Sequence, residues 1–506
     1  MAYLLGLDIG TSGAKALLID ETGRVLAAAT TEYPLHTPRP FWSEQDPDDW
    51  WTASVQSLSL VLSQSGVRGG DVAGIGLTGQ MHGLVLLDQH GAALRPAILW
   101  NDQRTEAECA EITNRLGFAR LLELTGNAVL PGFTAPKILW VRRHEPQVYA
   151  QVARFLLPKD YLRFRLTGEL ASDVSDASGT SLFDVRQRTW SREMFEALQI
   201  PRDWAPRCIE SSEISGGLTN EAATMIGLPA GLPVVGGAGD QAAQAIGTGL
   251  VAAGLVSATL GTSGVVFAPT ARPVIEPQGR LHAFCHAAPG MWHVMGVMLA
   301  AGGSLRWLRD RLCQPEIEEA KRLGVDPYEV MTRDAATVPP GAEGLLFLPY
   351  LSGERTPHPD PHARGCFVGL TMRHTKAHLT RAVLEGVTFG LRDCLALVQA
   401  QGIQPTEVRA SGGGARSALW RQIMADVFGL PVATVSSTEG AAFGAALLAG
   451  VGVGVWRDVA AACAQTIKVT DRVTPREENL ERYARLYRLY RELYPALKPT
   501  FDELSS

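Results

Sequence analysis

The tetrapeptide Gly-Thr-Ser-Gly occurs twice, at residues 10–13 in "GLDIGTSGAK" and at residues 261–264 in "TLGTSGVV". The first copy follows the strand-like run "YLLGLDIG" and precedes "AKALLID", with "VLAAAT" beyond a turn at residues 21–24. Strand, glycine turn, strand is a hairpin signature, because glycine supplies the positive φ values such turns require. A P-loop is different: its strand feeds a helix, and its Gly-Lys-Ser/Thr ending is missing here. At 506 residues the chain is too long for one core, so two or three domains are expected. The repeat predicts that two of them are alike.

That likeness has a chemical reading. Nucleotide phosphates need many backbone N–H donors at close range, and glycine lets the backbone approach without a Cβ in the way. Two such loops facing each other would hold one triphosphate from both sides, with the Thr and Ser hydroxyls as further donors. The alternative is that both are plain hairpin turns. Only the first copy carries an acid, Asp8, where the second has Thr259. One carboxylate suffices for Mg²⁺, which keeps most of its waters and takes one or two carboxylates beside the phosphates. A third cluster, Gly412, Gly413 and Gly414, follows the strand-like "EVRA" and precedes a helix.

Between the repeats lie "VAGIGLTGQMHGLVLLD", which reads as two strands about a polar loop, and the helical patterns "PKILWVRRH" and "PKDYLRFRLTG". "LPVVGGAGDQAAQAIG" reads as a strand, a glycine turn and a small-residue helix, and places a domain boundary near residue 247. Within it, Asp240 is either a helix N-cap, a role Asp fills well, or a catalytic carboxylate, and the two are compatible. The expected division is 1–247, 248–473, and a terminal helix over 474–506. Thr474, Pro475, Arg476 and Glu477 read as a capping box with proline at the first helical position. Leu480, Tyr483, Tyr487, Tyr490 and Tyr494 recur at helical spacing among four arginines. Such a helix either docks on its own protein or serves a partner or membrane; the narrow aromatic stripe favours docking.

The composition closes other classes. Net charge is −6 with no long basic run, so the footprint of nucleic-acid binding is missing. No apolar run reaches the roughly 20 residues of a membrane span, and the N-terminus has no basic stretch of a signal peptide. Seven scattered cysteines without a Cys-x-x-Cys pair read as reduced thiols in a cytoplasmic protein. Gly237, Gly239 and Ala242 mimic a dinucleotide fingerprint. That motif needs an acid about 20 residues on, and none occurs between Asp240 and Glu276.

The sequence resembles the FGGY carbohydrate kinases, of the actin/hexokinase/Hsp70 superfamily, over nearly its whole length. "GFTAPKILWVRRH" and "GCFVGLTMRHTKAHLTRAVLE" fit the family's two signatures, and "WSEQDP", "GQMHG", "ILWND" and "PYLSGERTPH" its pentulose branch. The resemblance implies an α/β fold of two ribonuclease-H-like lobes with a ligand cleft between them. It implies ATP-dependent phosphorylation of a ketopentose, D-xylulose first, with D-ribulose and L-xylulose as alternatives. The partners implied are the sugar and ATP, with Mg²⁺; a homodimer is the family expectation. A non-catalytic ATP switch on the same lobes would not need both a base and a sugar loop.

By the same resemblance Asp240 is the general base, with Asp8 beside it on the Mg²⁺ side. Met81, His82, Trp100, Asn101, Asp240 and Gln241 fall at the sugar, with Asp102 closing the "ILWND" run. Gly10, Thr11, Ser12, Gly13 and Lys15, then Gly261, Thr262 and Ser263, then Gly412, Gly413, Gly414 and Ser417 fall at ATP. Gln241 and Gln244 depart from common family residues and are both expected near the sugar. Glu439, at the start of a Gly/Ala helix, reads either as a lobe connector or as a phosphate-side group. Full transfer of a hydroxyl proton to an ordinary Asp would cost about 16 kcal/mol, so a base here acts only as the new P–O bond forms.

Overall fold

The computed structural model describes residues 2–437 and 439–505. Two seven-stranded sheets carry the fold. In the first, the strands run in the order Ile214–Gly217, Pro233–Val235, Val72–Gly79, Tyr3–Ile9, Gly13–Asp20, Val25–Glu32, with Ala238–Gly239 pairing on Val72–Gly79. In the second they run His282–Cys285, Trp292–Met298, Gly264–Thr270, Leu255–Leu260, Glu407–Ser411, Val432–Val435, Val469–Val473.

Apart from the edge strand His282–Cys285 and the short Ala238–Gly239, the two sheets have one topology. Each begins with an antiparallel hairpin, adds a third antiparallel strand on one side, and two parallel strands and a closing antiparallel one on the other. Both Gly-Thr-Ser-Gly copies sit at the tip of that first hairpin. Each sheet backs onto its own apolar core, one built from Leu5, Leu7, Ile75 and Trp50, the other from Val256, Phe347, Val387 and Trp420.

Two helices join the lobes. Asp240–Gly247 and Gly440–Gly452 each follow the second parallel strand of their sheet and pack against each other. The Gly440–Gly452 helix also lies on Tyr3–Ile9 and Val72–Gly79 of the other lobe. Glycine permits this contact: a Cβ on Gly6, Gly76 or Gly444 would fall on a backbone carbonyl of the opposing element. The lobe-connector reading of this helix is what the structure has.

The terminal helix spans Glu477–Glu503 and docks on its own protein. Tyr483 is 1% exposed and donates to Glu385 at 2.8 Å, while Tyr487 reaches Asp393 and Tyr494 reaches Asp360. Two details differ from expectation. Arg476 is the N-cap, so Thr474 and Pro475 lie outside the helix and no capping box forms. The main chain of Arg476 is held by Asp426 instead, at 2.8 Å, a tertiary contact that fixes the start without a local cap. Leu480 is 36% exposed and off the buried stripe, where Leu486 takes its place. Among the described residues no helix is long and apolar enough to cross a membrane.

Candidate active site

The cleft between the lobes is bounded by the two hairpin tips, and the carbonyls of both are occupied, mainly by side-chain donors in the first and by backbone N–H groups in the second. In the first, Gly10 O accepts from Tyr33 Oη at 2.5 Å and Gln80 Nε2 at 3.3 Å, Thr11 O from Gln45 Nε2 at 2.7 Å, and Ser12 O from Tyr33 N at 3.3 Å. In the second, Gly261 O accepts from Gly302 N at 2.8 Å, and Thr262 O from Ala301 N and Gly303 N. With the carbonyls occupied, the backbone N–H groups of Thr11, Ser12, Thr262 and Ser263 have no hydrogen-bond partner among the described residues. A row of such donors is what an anion site is made of. Sequence reading missed these supports. Gln80 lay inside "GQMHG" and Gln45 inside "WSEQDP", but nothing local marks Tyr33 or Gly302 as partners.

Beside the second tip a cavity of about 480 Å³ is lined by Gly261, Thr262, Gly413, Gly414 and Ser417, together with Leu305, Arg306, Tyr328, Glu329 and Trp420. Gly412 adopts φ 82° and approaches Leu260 O so closely that no Cβ fits. Ser417 caps the Ala418–Phe428 helix, accepting from Trp420 N. Tyr328 lies in the Pro327–Ala335 helix and Arg306 in the Gly302–Leu312 helix, both remote in sequence from the glycine motifs, which is why they were not anticipated. A wider depression of about 720 Å³, between Asp46–Asp48, Arg95 and Arg165, lies elsewhere on the first lobe and includes neither Asp8 nor Asp240.

Asp8 and Asp240 share one edge of the first sheet. Asp8 pairs across to Thr78, and Thr78 to Ala238, so Asp8 and the start of the Asp240–Gly247 helix lie at adjoining registers. Asp8 Oδ1 is buried with no hydrogen-bond partner among the described residues. Burial pushes the Asp8 carboxyl up to about 6, against the pull of Lys15 opposite it in the hairpin. Burial, then the Asp8 charge, pushes Asp240 up to about 7, with hydrogen bonds from Gln241 opposing. Gly239, not Asp240, is the N-cap; Asp240 is the first helical residue and among the described residues accepts only from its neighbour Gln241. Its carboxylate is therefore not consumed in capping. Behind it, Gly239 N donates to Ser175 Oγ at 3.1 Å, Ser175 to Asp173 at 2.6 Å, and Asp173 pairs with buried Lys159 at 3.0 Å.

Met81 packs on Gly239, where a Cβ would come 2.8 Å from Met81 Cγ. His82 has φ 68°, rare for a non-glycine residue. Its carbonyl accepts from Lys137 Nζ at 2.9 Å and Thr134 Oγ1 at 3.0 Å, which hold that conformation. Its ring stacks on Phe133 at 4.5 Å, and Nδ1 lies 2.7 Å from Gly179 O. A carbonyl only accepts, so Nδ1 carries the proton and Nε2 is left as an acceptor. Burial holds the ring neutral, its pKa down to about 3. Asn101 Oδ1 is buried without a partner among the described residues, and Trp100 Nε1 donates to Thr11 Oγ1 at 3.0 Å.

Two expectations change, and Lys15 gains a partner. Asp102 is an ion-pair partner of Arg104 at 2.6 Å and accepts from Ser43 N, so it is structural. Gln244 faces the other lobe, donating to Thr259 Oγ1 at 3.2 Å and Ser411 Oγ at 3.3 Å, one helical turn beyond Asp240 and on the side of the second hairpin. Lys15 pairs with Glu439 across the lobes at 2.5 Å.

Residues 3–247 match the N-terminal domain and residues 256–453 the C-terminal domain of the FGGY family of carbohydrate kinases. A xylulose kinase of Escherichia coli (strain K12) is 46% identical over 88% of this chain and 89% of its own. One of Klebsiella pneumoniae is 43% identical over 98% of this chain and 99% of its own. The crystal structure of xylulose kinase from Rhodospirillum rubrum superposes with a TM-score of 0.91 at 35% identity, covering 99% of this chain and 100% of that one. With two family domains that together span most of its length, the chain belongs to the FGGY family of carbohydrate kinases, and is a phosphotransferase.

Proposed function

We propose that the protein transfers the γ-phosphoryl group of ATP to D-xylulose, giving D-xylulose 5-phosphate and ADP, with Asp240 as the base. One observation carries the residue assignment: a carboxyl raised to about 7 at the edge of the cleft, its charge opposed by a second buried carboxylate. General bases work best with a pKa near the operating pH. Against a hydroxyl of pKa about 15.7, a base at about 7 lowers the cost of proton transfer from about 16 to about 12 kcal/mol. Asp240 still cannot hold an alkoxide. It orients the 5-hydroxyl and takes its proton as the bond from oxygen to the γ-phosphorus forms and the bond to the ADP oxygen breaks.

The free N–H groups of the two hairpin tips bind the phosphates, the Tyr328–Trp420 cavity takes the adenosine, and Met81, His82, Asn101 and Gln241 surround the sugar. The orphaned Oδ1 of Asp8 fits a Mg²⁺ ion held by one protein carboxylate with waters and phosphate oxygens. Among the described residues no cluster of three potential ligands offers a fuller protein cage. When bound, Mg²⁺ supplies neutralisation of phosphate charge. Free thiols at all seven cysteines fit a cytoplasmic enzyme.

The test is an ADP-release assay with a panel of ketopentoses, hexuloses and glycerol. D-xylulose is expected to give the highest kcat/KM. A higher value for D-ribulose or L-xylulose replaces the substrate, and sugar-independent ATP hydrolysis without a phosphorylated product overturns the kinase reading.

A further inference from the structure

Arg355, in the stretch "GERTPH", has no role in the site as described so far. It is largely buried, yet its side chain makes no hydrogen bond or ion pair among the described residues. Its neighbour Glu354 makes no ion-pair contact with it, although each charge favours the other. Glu354 Oε1 accepts from Leu299 N at 2.9 Å and from the backbone N of Arg355 at 2.7 Å. Burial raises the Glu354 carboxyl to about 8, so it is largely protonated at neutral pH.

The segment is fixed in place. Thr356 Oγ1 accepts from Val297 N at 3.2 Å and donates to Arg280 O at 3.0 Å, clamping it to the end of the Trp292–Met298 strand. That strand pairs with His282–Cys285 on one side and with Gly264–Thr270 on the other. The Arg355 charge acts on His82 and His282, both of which it disfavours as cations. These two rings flank Phe133, at 4.5 Å and 5.9 Å between ring centroids. Asp240 feels Asp8 and Gln241 instead. Residues 354–356 therefore lie against Val297 and Leu299, next along the chain from Met295, which pairs with His282, and from there the Arg355 charge reaches His282 and His82.

The chemistry of the substrate calls for such a group. In a ketopentose furanose, O5 is the ring oxygen. Phosphorylation at O5 therefore requires the open chain, in which C2 is a free ketone. The other groups identified at the sugar offer mostly acceptors: the Asp240 carboxylate, His82 Nε2 and Asn101 Oδ1. Hydroxyls can donate to these, but a ketone oxygen can only accept. A guanidinium offers five N–H donors in a rigid fork.

We infer that Arg355 is the donor that binds the C1–C2 end of the open-chain ketose and so selects ketoses over alditols. This rests on the ketopentose reading above. Arg355→Ala is expected to raise KM for D-xylulose by about 10- to 150-fold, the range for losing a hydrogen bond to a charged group. KM for ATP and the inhibition constant of xylitol should each stay within about twofold. Arg355→Lys, which keeps the charge and loses the fork, should recover part of the affinity. An equal weakening of xylitol, a shift of KM for ATP instead, or an unchanged KM for D-xylulose would each overturn the assignment. If the wild-type protein phosphorylates no ketopentose, the proposed function falls. Calorimetric titration of ketoses and alditols without ATP then decides Arg355 by itself: selective loss of ketose binding in Arg355→Ala or Arg355→Lys supports it, and unchanged or absent ketose binding overturns it.

Discussion

The two lobes share a topology and a glycine loop but differ in the side chains around it. Across the first hairpin Asp8 faces Lys15; across the second, Thr259 faces Val265. Thr259 Oγ1 is fully engaged, 2.9 Å from Ser411 Oγ and 3.2 Å from Gln244 Nε2. Asp8 Oδ1 has no such partner among the described residues. The helices that follow the second parallel strands differ likewise. One starts with Asp240 on a Gly239 cap; the other has Glu439 as its cap, paired with Lys15. The backbone cradle is common to both halves, while the groups with unmet electrostatic needs are concentrated in one. Scaffold and chemistry can therefore be separated by substituting matched positions.

The largest difference is expected at the helix starts. Asp240→Asn should lower kcat by about two to four orders of magnitude, as for loss of a general base, with little change in KM for the sugar. Glu439→Gln, at the matching place, removes a half-exposed ion pair and should cost less than about tenfold. Steady-state kinetics on both variants checks this, and comparable losses would break the comparison. Next come the hairpins. Asp8→Ala should lower kcat by at least about a hundredfold and raise the Mg²⁺ concentration needed for half-maximal rate, while Thr259→Ala stays within a few-fold. Equal losses would make both loops structural turns.

A smaller effect should divide the sugar side from the nucleotide side. His82 Nε2 is an acceptor held in place by Gly179 and Phe133. His82→Ala should raise KM for the ketopentose by about 5- to 150-fold and narrow its preference over epimers, leaving KM for ATP nearly unchanged. Tyr328→Ala, in the cavity beside the second hairpin, should do the reverse. Met81→Leu keeps the packing on Gly239 and should be mild. If His82→Ala instead weakened ATP and left sugar discrimination intact, the sugar pocket would be misplaced.

Much of this arrangement was legible before any coordinates. Strand periodicity around glycine turns located both hairpins, but not for the conformational reason expected: Gly23 takes φ 84° in the turn at residues 21–24, whereas Gly10, Gly13, Gly261 and Gly264 at the two tips are not in the positive-φ region. Asp240 was marked as the base by the family resemblance; the local pattern, an acid at the start of a small-residue helix, left a plain N-cap equally open. Where sequence reading failed, the cause was tertiary. Local spacing gave Thr474 the cap, whereas the start of the helix is held by Asp426, which accepts from Arg476 N 50 positions further along the chain. Gln244 lies one turn from Asp240 on the same face of the helix, and the displacement along the axis brings it to Thr259 and Ser411 of the second sheet. Tyr33, Lys137 and Tyr328 act through contacts that close only when distant segments meet, so no local pattern announces them.

The smallest effect tests whether the electrostatic asymmetry is real. A carboxyl raised from 3.8 to about 7 on folding binds its proton more tightly in the folded state than in the unfolded. Below about pH 3.8 both states are protonated and stability is undiminished. Between there and about pH 7 the unfolded state ionises first, so stability falls as pH rises. Above about pH 7 the loss is complete, at most about 4 kcal/mol. Asp240→Asn has no charge to bury. It should therefore melt at a higher temperature than the wild type at pH 8, by a margin that shrinks towards pH 4. The control is Thr259→Val, which carries no titrating group and should shift Tm by the same amount at both pH values. The same carboxyl should give kcat/KM for the sugar an acid limb near pH 7, rising to a plateau as Asp240 ionises. Thermal melts across pH, set beside that profile, would report one group twice. An Asp240→Asn melt no higher than wild type at pH 8 would mean that the carboxylate is solvated in the free enzyme, and the electrostatic contrast between the lobes would fail where it is most specific.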